Sequence, residues 1–151
     1  MEKEYIILYY YDVDDNIGTE EILCEKISDD IYRLLEIPLW SCLAIGDTIK
    51  VTQSNKYKDR LVFVENSVLS DNSTIQVVEI ANKELVRQFI PKLEKLIGKE
   101  NIRFDTERYI SFNVPKMIDY IPINNLLLEH RNKNLIDFQI AVLAPQHRQK
   151  E

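Results

Sequence analysis

Two histidines and two cysteines are the residues of this 151-residue chain best suited to metal or nucleophilic chemistry. His130 sits in Glu129-His130-Arg131, and His147 lies near the end of the sequence. No second histidine is close to either, and both cysteines are far away in the chain. The spacing that gathers four ligands around zinc is therefore missing. Cys–His catalysis needs a positioned, activated thiol. Cys24 falls in an Ile/Leu-rich strand and Cys42 in an apolar stretch, so both read as small buried thiols, kept reduced. No serine sits in a Gly-x-Ser-x-Gly elbow or a Ser-x-x-Lys motif. Three glycines, at 18, 46 and 98, exclude the glycine-rich phosphate loops. The expectation is a protein that is not an enzyme, with no catalytic residue, no metal and no cofactor.

Acids are the more suggestive group. Asp12-Val13-Asp14-Asp15-Asn16 alternates oxygen ligands as a calcium loop does, but its sixth position is Ile17 rather than glycine and its twelfth is Leu23 rather than glutamate. A solvated loop is the plainer reading. Hairpin geometry adds something: the loop from Asp12 to Gly18 joins the first two strands at one end of the sheet. Glu20 and Glu21, which open the second strand, belong at that same end. Asp12, Asp14, Asp15, Glu20 and Glu21 thus gather as a candidate partner-binding surface, against the alternative of a solubilising acidic edge.

The net charge of −6 is unevenly spread. Residues 1–30 hold ten acids against Lys3 and Lys26, while the remainder is slightly basic. Such a field repels nucleic acid and favours a basic partner. Tyr5, Tyr9, Tyr10, Tyr11 and Tyr32, of eight tyrosines in all, fall in or beside this acidic part. Tyrosines bury contact area at little entropic cost, which suits a protein interface, and they suit half-buried strand positions equally. The first residues lack a signal peptide's basic start and apolar run, and no stretch is long enough to span a membrane. A cytoplasmic protein with no membrane partner is expected.

These residues must be placed by strands. The length suits one domain over 1–151, with 45% apolar residues to build its core. Strands are expected over 4–11, 20–27, 31–37, 48–52, 60–64 and 74–80, with Ile49 and Val51 inward and Thr48, Lys50 and Thr52 outward. Between the third and fourth, Pro38 stops one strand and Gly46-Asp47 turns into the next. The segment between them carries the only Trp, Trp40, and is too apolar for a surface loop. It reads as the joint that ties two hairpins into one core. The period then changes. Leu85, Val86, Phe89, Ile90, Leu93, Leu96 and Ile97 form one helical stripe, with Asn82 as N-cap, Gly98 as stop, and Pro91 kinking or dividing the helix. A strand over 108–114, a shorter helix over 121–131 opened by Pro122, and a strand over 136–143 follow. In that last strand Ile136, Phe138, Ile140 and Val142 should face in, and the tail from Gln146 should fray. The fold class is α+β: about six strands, the first five a meander that curls into a small barrel or half-barrel (1–72), followed by a helix-strand-helix-strand lobe (73–145). The sixth strand, long helix and next strand have the length of a right-handed βαβ unit.

Glu21, Leu23, Tyr32, Leu34, Ile37, Pro38, Ala44, Gly46, Asp47 and Val51 carry a resemblance. A strand ending in Ile-Pro, an apolar crossing with Ala, and Gly-Asp before an alternating strand is similar to a bacterial family known only as a domain of unknown function. Ser73, Thr74, Val77 and the helix end Leu96-Ile97-Gly98 fit the same pattern, over about 5–142. Two departures are Glu36-Ile37-Pro38-Leu39 where the family has Asn-Ile-Pro-Phe, and Asp71-Asn72 where it has Gly before His. The pattern is turn and core chemistry, so it implies a fold and transfers no catalytic residue. The resemblance also implies a small accessory or immunity protein. Together these readings lead to a non-enzymatic protein-binding module, in its sharpest form an immunity protein whose acidic hairpin blocks a basic toxin domain such as a nuclease. Two alternatives stay open. One is a small-molecule-binding protein or enzyme, with its site in the barrel or at the barrel/βαβ junction; the other is a structural subunit of a larger assembly.

Overall fold

The structure is a computed structural model that describes residues 1–12, 14–81 and 83–148. The expected N-cap Asn82, Val13 of the acidic run and the tail 149–151 lie outside the described residues. Five strands close a barrel: β1 (Lys3–Tyr11), β2 (Ile17–Ser28), β3 (Ile31–Leu34), β4 (Thr48–Gln53) and β5 (Leu61–Val68). Consecutive strands pair antiparallel, and β1 meets β5 in parallel at Ile7 and Val62. Alternation along the strands fills the interior with Ile6, Leu8, Ile22, Cys24, Tyr32, Leu34, Ile49 and Val51, and Leu43 joins them from the segment between β3 and β4. The barrel is therefore closed, and by the first five strands alone. Thr48, expected outward, is buried at the start of its strand, where its hydroxyl accepts the Val68 amide at 2.9 Å.

The sixth strand belongs to a second sheet. β6 (Ser73–Glu79), β7 (Ile102–Thr106), β8 (Tyr109–Val114) and β9 (Ile136–Val142) stand in the order β7-β8-β6-β9, all neighbours antiparallel. β7 is the strand the sequence reading lacks, and it corrects the expected βαβ unit. The helix after β6 leads to β7, which runs parallel to β6 with β8 between them. Helices α1 (Ile90–Ile97) and α2 (Ile121–Asn132) complete two interleaved split βαβ units, the ferredoxin-like arrangement. Their apolar faces cover Ile75, Val77, Ile110, Phe112 and Val114.

The helical path runs unbroken from Glu84 through Pro91 to Ile97. Pro91 has no amide hydrogen to donate, and the turn before it, Leu85–Phe89, widens to a π-helix whose next amide, Ile90, donates back to Leu85. Gly98 ends α1 at φ +85°, a conformation that favours glycine. β9 is an edge strand, so only Ile136 of its expected inward stripe is buried, and Ile140 is exposed. The chain end does not fray at Gln146. A 3₁₀ turn, Pro145–His147, buries His147 with Nδ1 2.6 Å from Ser73 Oγ and Nε2 3.1 Å from the Pro115 carbonyl.

The apolar joint is the contact between barrel and sheet. It crosses the sheet face opposite the helices without pairing as a strand, so its backbone needs other partners. Side chains of the sheet supply them. Arg103 donates to the Ile37 carbonyl at 2.7 Å, Ser111 to Pro38 at 2.6 Å, Tyr109 to Leu39 at 2.6 Å and Thr74 to Leu43 at 2.8 Å. From the barrel side one carboxylate, Glu20, accepts the amides of Leu39, Trp40 and Ser41 and the Ser41 hydroxyl at 2.8–2.9 Å. The Gly46-Asp47 turn closes the segment. Gly46 takes φ +85°, and the buried Asp47 carboxylate accepts the Ala44 and Ser70 amides.

Candidate protein-interaction face

The histidines and cysteines do not assemble into a site. His130 is buried at the end of α2, with Nδ1 3.0 Å from the Leu126 carbonyl and its ring edge against Phe89. Cys24 is buried, and desolvation, reinforced by the nearby Glu36, pushes its thiol up to about 12, which makes it inert. Cys42 is exposed, correcting the expectation of two buried thiols: the joint turns its side chain outward between Ser41 and Leu43, which are buried. Both cysteines are free. Among the described residues no group of three potential ligands could hold a metal ion.

The five candidate acids divide. β2 begins at Ile17, so Glu20 and Glu21 lie inside the strand rather than at its start, opposite Leu8 and Ile7. Glu20 is half-buried, and its oxygens are filled by the four donors of the joint. Glu21 is exposed and ion-paired with Arg60. Asp12, Asp14 and Asp15 are exposed on the connection between β1 and β2. Asp12 shapes that loop by accepting the amides of Asp14 and Asn16, both at 2.9 Å, and Asp15 takes φ +61°, which Asp tolerates better than most residues.

Three tyrosines of β1 point away from the barrel interior on the same strand. Tyr5 is 49%, Tyr9 41% and Tyr11 75% exposed, while their inward neighbours Ile6 and Leu8 are buried. Ile17, across from Tyr11, and Val64 on β5 are also exposed. Tyr10 takes the opposite side and bends over Gly18, its cross-strand neighbour; a β-carbon at Gly18 would lie 2.4 Å from the ring. Tyr10 stacks on Trp40 at 5.8 Å, and Trp40 on Tyr109 at 4.2 Å. The column pins the hairpin to the joint and the sheet. Burial, then the carboxylates of Glu20 and Asp105, push the Tyr109 phenol well above its ordinary range; burial, Glu20, Asp12 and Asp105 raise Tyr10.

Two open clefts lie elsewhere. One of about 360 Å³ lies beneath the π-helical turn, between Glu79, Arg87, Glu107 and Arg108. A second of about 330 Å³ opens where the barrel meets the sheet, lined by Cys42, Asn66, Leu69, Asn72, Leu143 and Arg148 among others.

A five-stranded barrel strapped to a ferredoxin-like layer, with no assembled catalytic set among the described residues, defines this class of α+β protein. Residues 20–138 match the family described as "Domain of unknown function (DUF4265)", and the chain belongs to that family. A crystal structure of a hypothetical protein from Neisseria gonorrhoeae has the same fold, with a TM-score of 0.79 over 95% of this chain and 97% of that one, at 24% identity. No curated protein matches the chain. Among the described residues no helix is long and apolar enough to cross a membrane.

Proposed function

We propose that this protein is a non-enzymatic protein-binding module whose partner is a basic protein, docked on the outer tyrosine face of β1 and the aspartate loop beside it. The reading rests on one observation: Tyr9 and Tyr11 stand exposed beside Asp12, Asp14 and Asp15, with Tyr5 exposed on the same face beyond the buried Ile7. Exposed tyrosines supply the area of an interface and the acids its charge complement, which speeds association and selects the partner. In its sharpest form the module is a cytoplasmic immunity protein, and the partner a basic toxin domain such as a nuclease. Glu20 and Glu21 contribute field rather than contact, since each already has protein partners.

The test is tagged capture from the native host, at low and high salt, followed by mass spectrometry. A basic protein recovered at low salt and lost at high salt supports the reading, and its toxicity when expressed alone would make the module an immunity protein. Joint replacement Asp12→Asn, Asp14→Asn and Asp15→Asn keeps the loop's acceptors while removing three charges. It should weaken capture at least tenfold. Unchanged capture by that variant would end the proposal. The junction cleft beside Cys42 and Arg148 favours a second reading, a small-molecule site at the barrel/sheet boundary. A ligand screen by thermal shift on an Arg148→Ala pair tests it.

A further inference from the structure

We infer that the partner enters as an added strand, its extended basic segment lying along the open end of the barrel seam between β1 and β5; this rests on the basic-partner reading above. The barrel is closed between these strands by a single residue pair, Ile7 with Val62. Beyond it both strands continue in the same direction, β1 through Tyr9–Tyr11 and β5 through Phe63–Val68. Each is paired on its other side only: Tyr9, Tyr10 and Tyr11 with Thr19, Gly18 and Ile17, and Phe63, Glu65, Asn66 and Val68 with strand β4. Among the described residues no ladder partner meets their facing sides. Unpaired backbone of this kind is a template for another chain.

The exposure pattern agrees. From Val64 to Val68 every residue of β5 is exposed, so this half of the strand reaches past the barrel core. Val64 and Val68 are exposed apolar residues there, separated by an irregularity in the β4–β5 register, and Tyr9 and Tyr11 stand across the seam. Because β1 and β5 are parallel, the free half of β5 lies at the same end as Asp12, Asp14 and Asp15. Glu65 lies on the free half itself. The occupant is therefore a partner segment that alternates cationic and apolar side chains, the apolar ones against Val64, Val68 and the tyrosines.

The full chain, labelled with nitrogen-15, would be titrated with a capped peptide alternating four Lys with three Val. Strand addition predicts shifts and slowed amide exchange along Val64–Val68 and Tyr9–Tyr11. The same peptide N-methylated at alternate residues keeps its charge but cannot complete a ladder, and should bind at least tenfold more weakly. Equal binding of the two peptides, perturbation confined to the aspartate loop, or no binding would each overturn the seam. Salt-sensitive capture of a basic protein would still stand in any of those cases. Its failure together with the peptide's would remove both readings.

Discussion

The indole of Trp40 lies flat on the ring of Tyr109, centroids 4.2 Å apart and planes 15° from parallel, and the same Tyr109 donates its hydroxyl to the carbonyl of the residue before the indole, Leu39, at 2.6 Å. The pair holds the joint to the sheet by one stack and one hydrogen bond. Tyr109→Phe keeps the first and removes the second, leaving a carbonyl unsatisfied. A loss of about 1–2 kcal/mol is expected in urea unfolding. Tyr109→Ala removes both and should cost more than Tyr109→Phe by about 1 kcal/mol or more. Equal stability of the three proteins would show that the stack does not fasten the joint.

Glu20 offers a sharper contrast. Its carboxylate takes four donors, so Glu20→Gln presents an amide NH₂ to hydrogens that point at it. The expected loss is about 1–3 kcal/mol, because even with the amide oxygen turned to the three donors at Oε2, the partly buried Leu39 amide is left facing a donor. Asp14→Asn and Asp15→Asn, on the exposed loop, should stay within about 0.5 kcal/mol. Chemical denaturation of the three variants side by side checks whether sequence-adjacent acids have separate duties.

That division marks what could be read from the chain alone. The joint was visible because Pro38, Trp40 and Gly46-Asp47 are strong local signals. How it is held was not. Ser111 reads as a solvent-facing strand residue in any period-two pattern, and only the tertiary fold lays a backbone carbonyl over it. β7 was hidden for a related reason: Phe104 is half-exposed on an edge strand, and Glu107-Arg108 turns without Gly, Pro, Asn or Asp. Missing that hairpin made a split βαβ unit look adjacent. The exposure of Tyr5, Tyr9 and Tyr11 was not legible either: tyrosine suits half-buried strand positions equally, and Ile7 on the same face is buried.

Gly18 tests the aromatic column from its other end. A methyl group there would meet the Tyr10 ring, whose end can swing away, so Gly18→Ala should cost little stability but displace Tyr10 from Trp40. Trp40 is the chain's single tryptophan, and its fluorescence reports the change directly. A shifted emission maximum with nearly wild-type unfolding is the expected result. An unchanged spectrum would mean that the stack tolerates the methyl group.

Alkaline pH should loosen the barrel. Burial pushes the Cys24 thiol from 9.0 up to about 12, and burial with the hydrogen bond to Glu4 pushes the Tyr32 phenol from 10.0 up to about 12. Well below pH 9 both groups are protonated in folded and unfolded chains alike, and their contribution is complete. As pH rises further, the unfolded chain releases these protons first, so stability falls between about 9 and 12. Cys24→Ala should flatten the first part of that fall, around pH 9, where the unfolded thiol titrates ahead of the phenol. Urea midpoints at half-unit intervals from pH 8 to 11 measure it, and an identical slope in the variant would refute the assignment.

Ser73 ties the chain end to the start of β6. Its Oγ accepts the Ala144 amide at 2.8 Å and stands 2.6 Å from Nδ1 of His147; all three residues are buried. Nε2 faces the Pro115 carbonyl, which can only accept, so that nitrogen carries hydrogen, and in the neutral ring Nδ1 accepts the serine proton. Ser73→Ala strands both the amide and Nδ1, with a loss of about 2–3 kcal/mol expected. The readout that separates this tie from a general core effect is local. Amide exchange should accelerate at Ala144 and His147 well before it does at Val77 on the same strand. Uniform acceleration across β6 would mean that the serine stabilises the sheet and not the terminus.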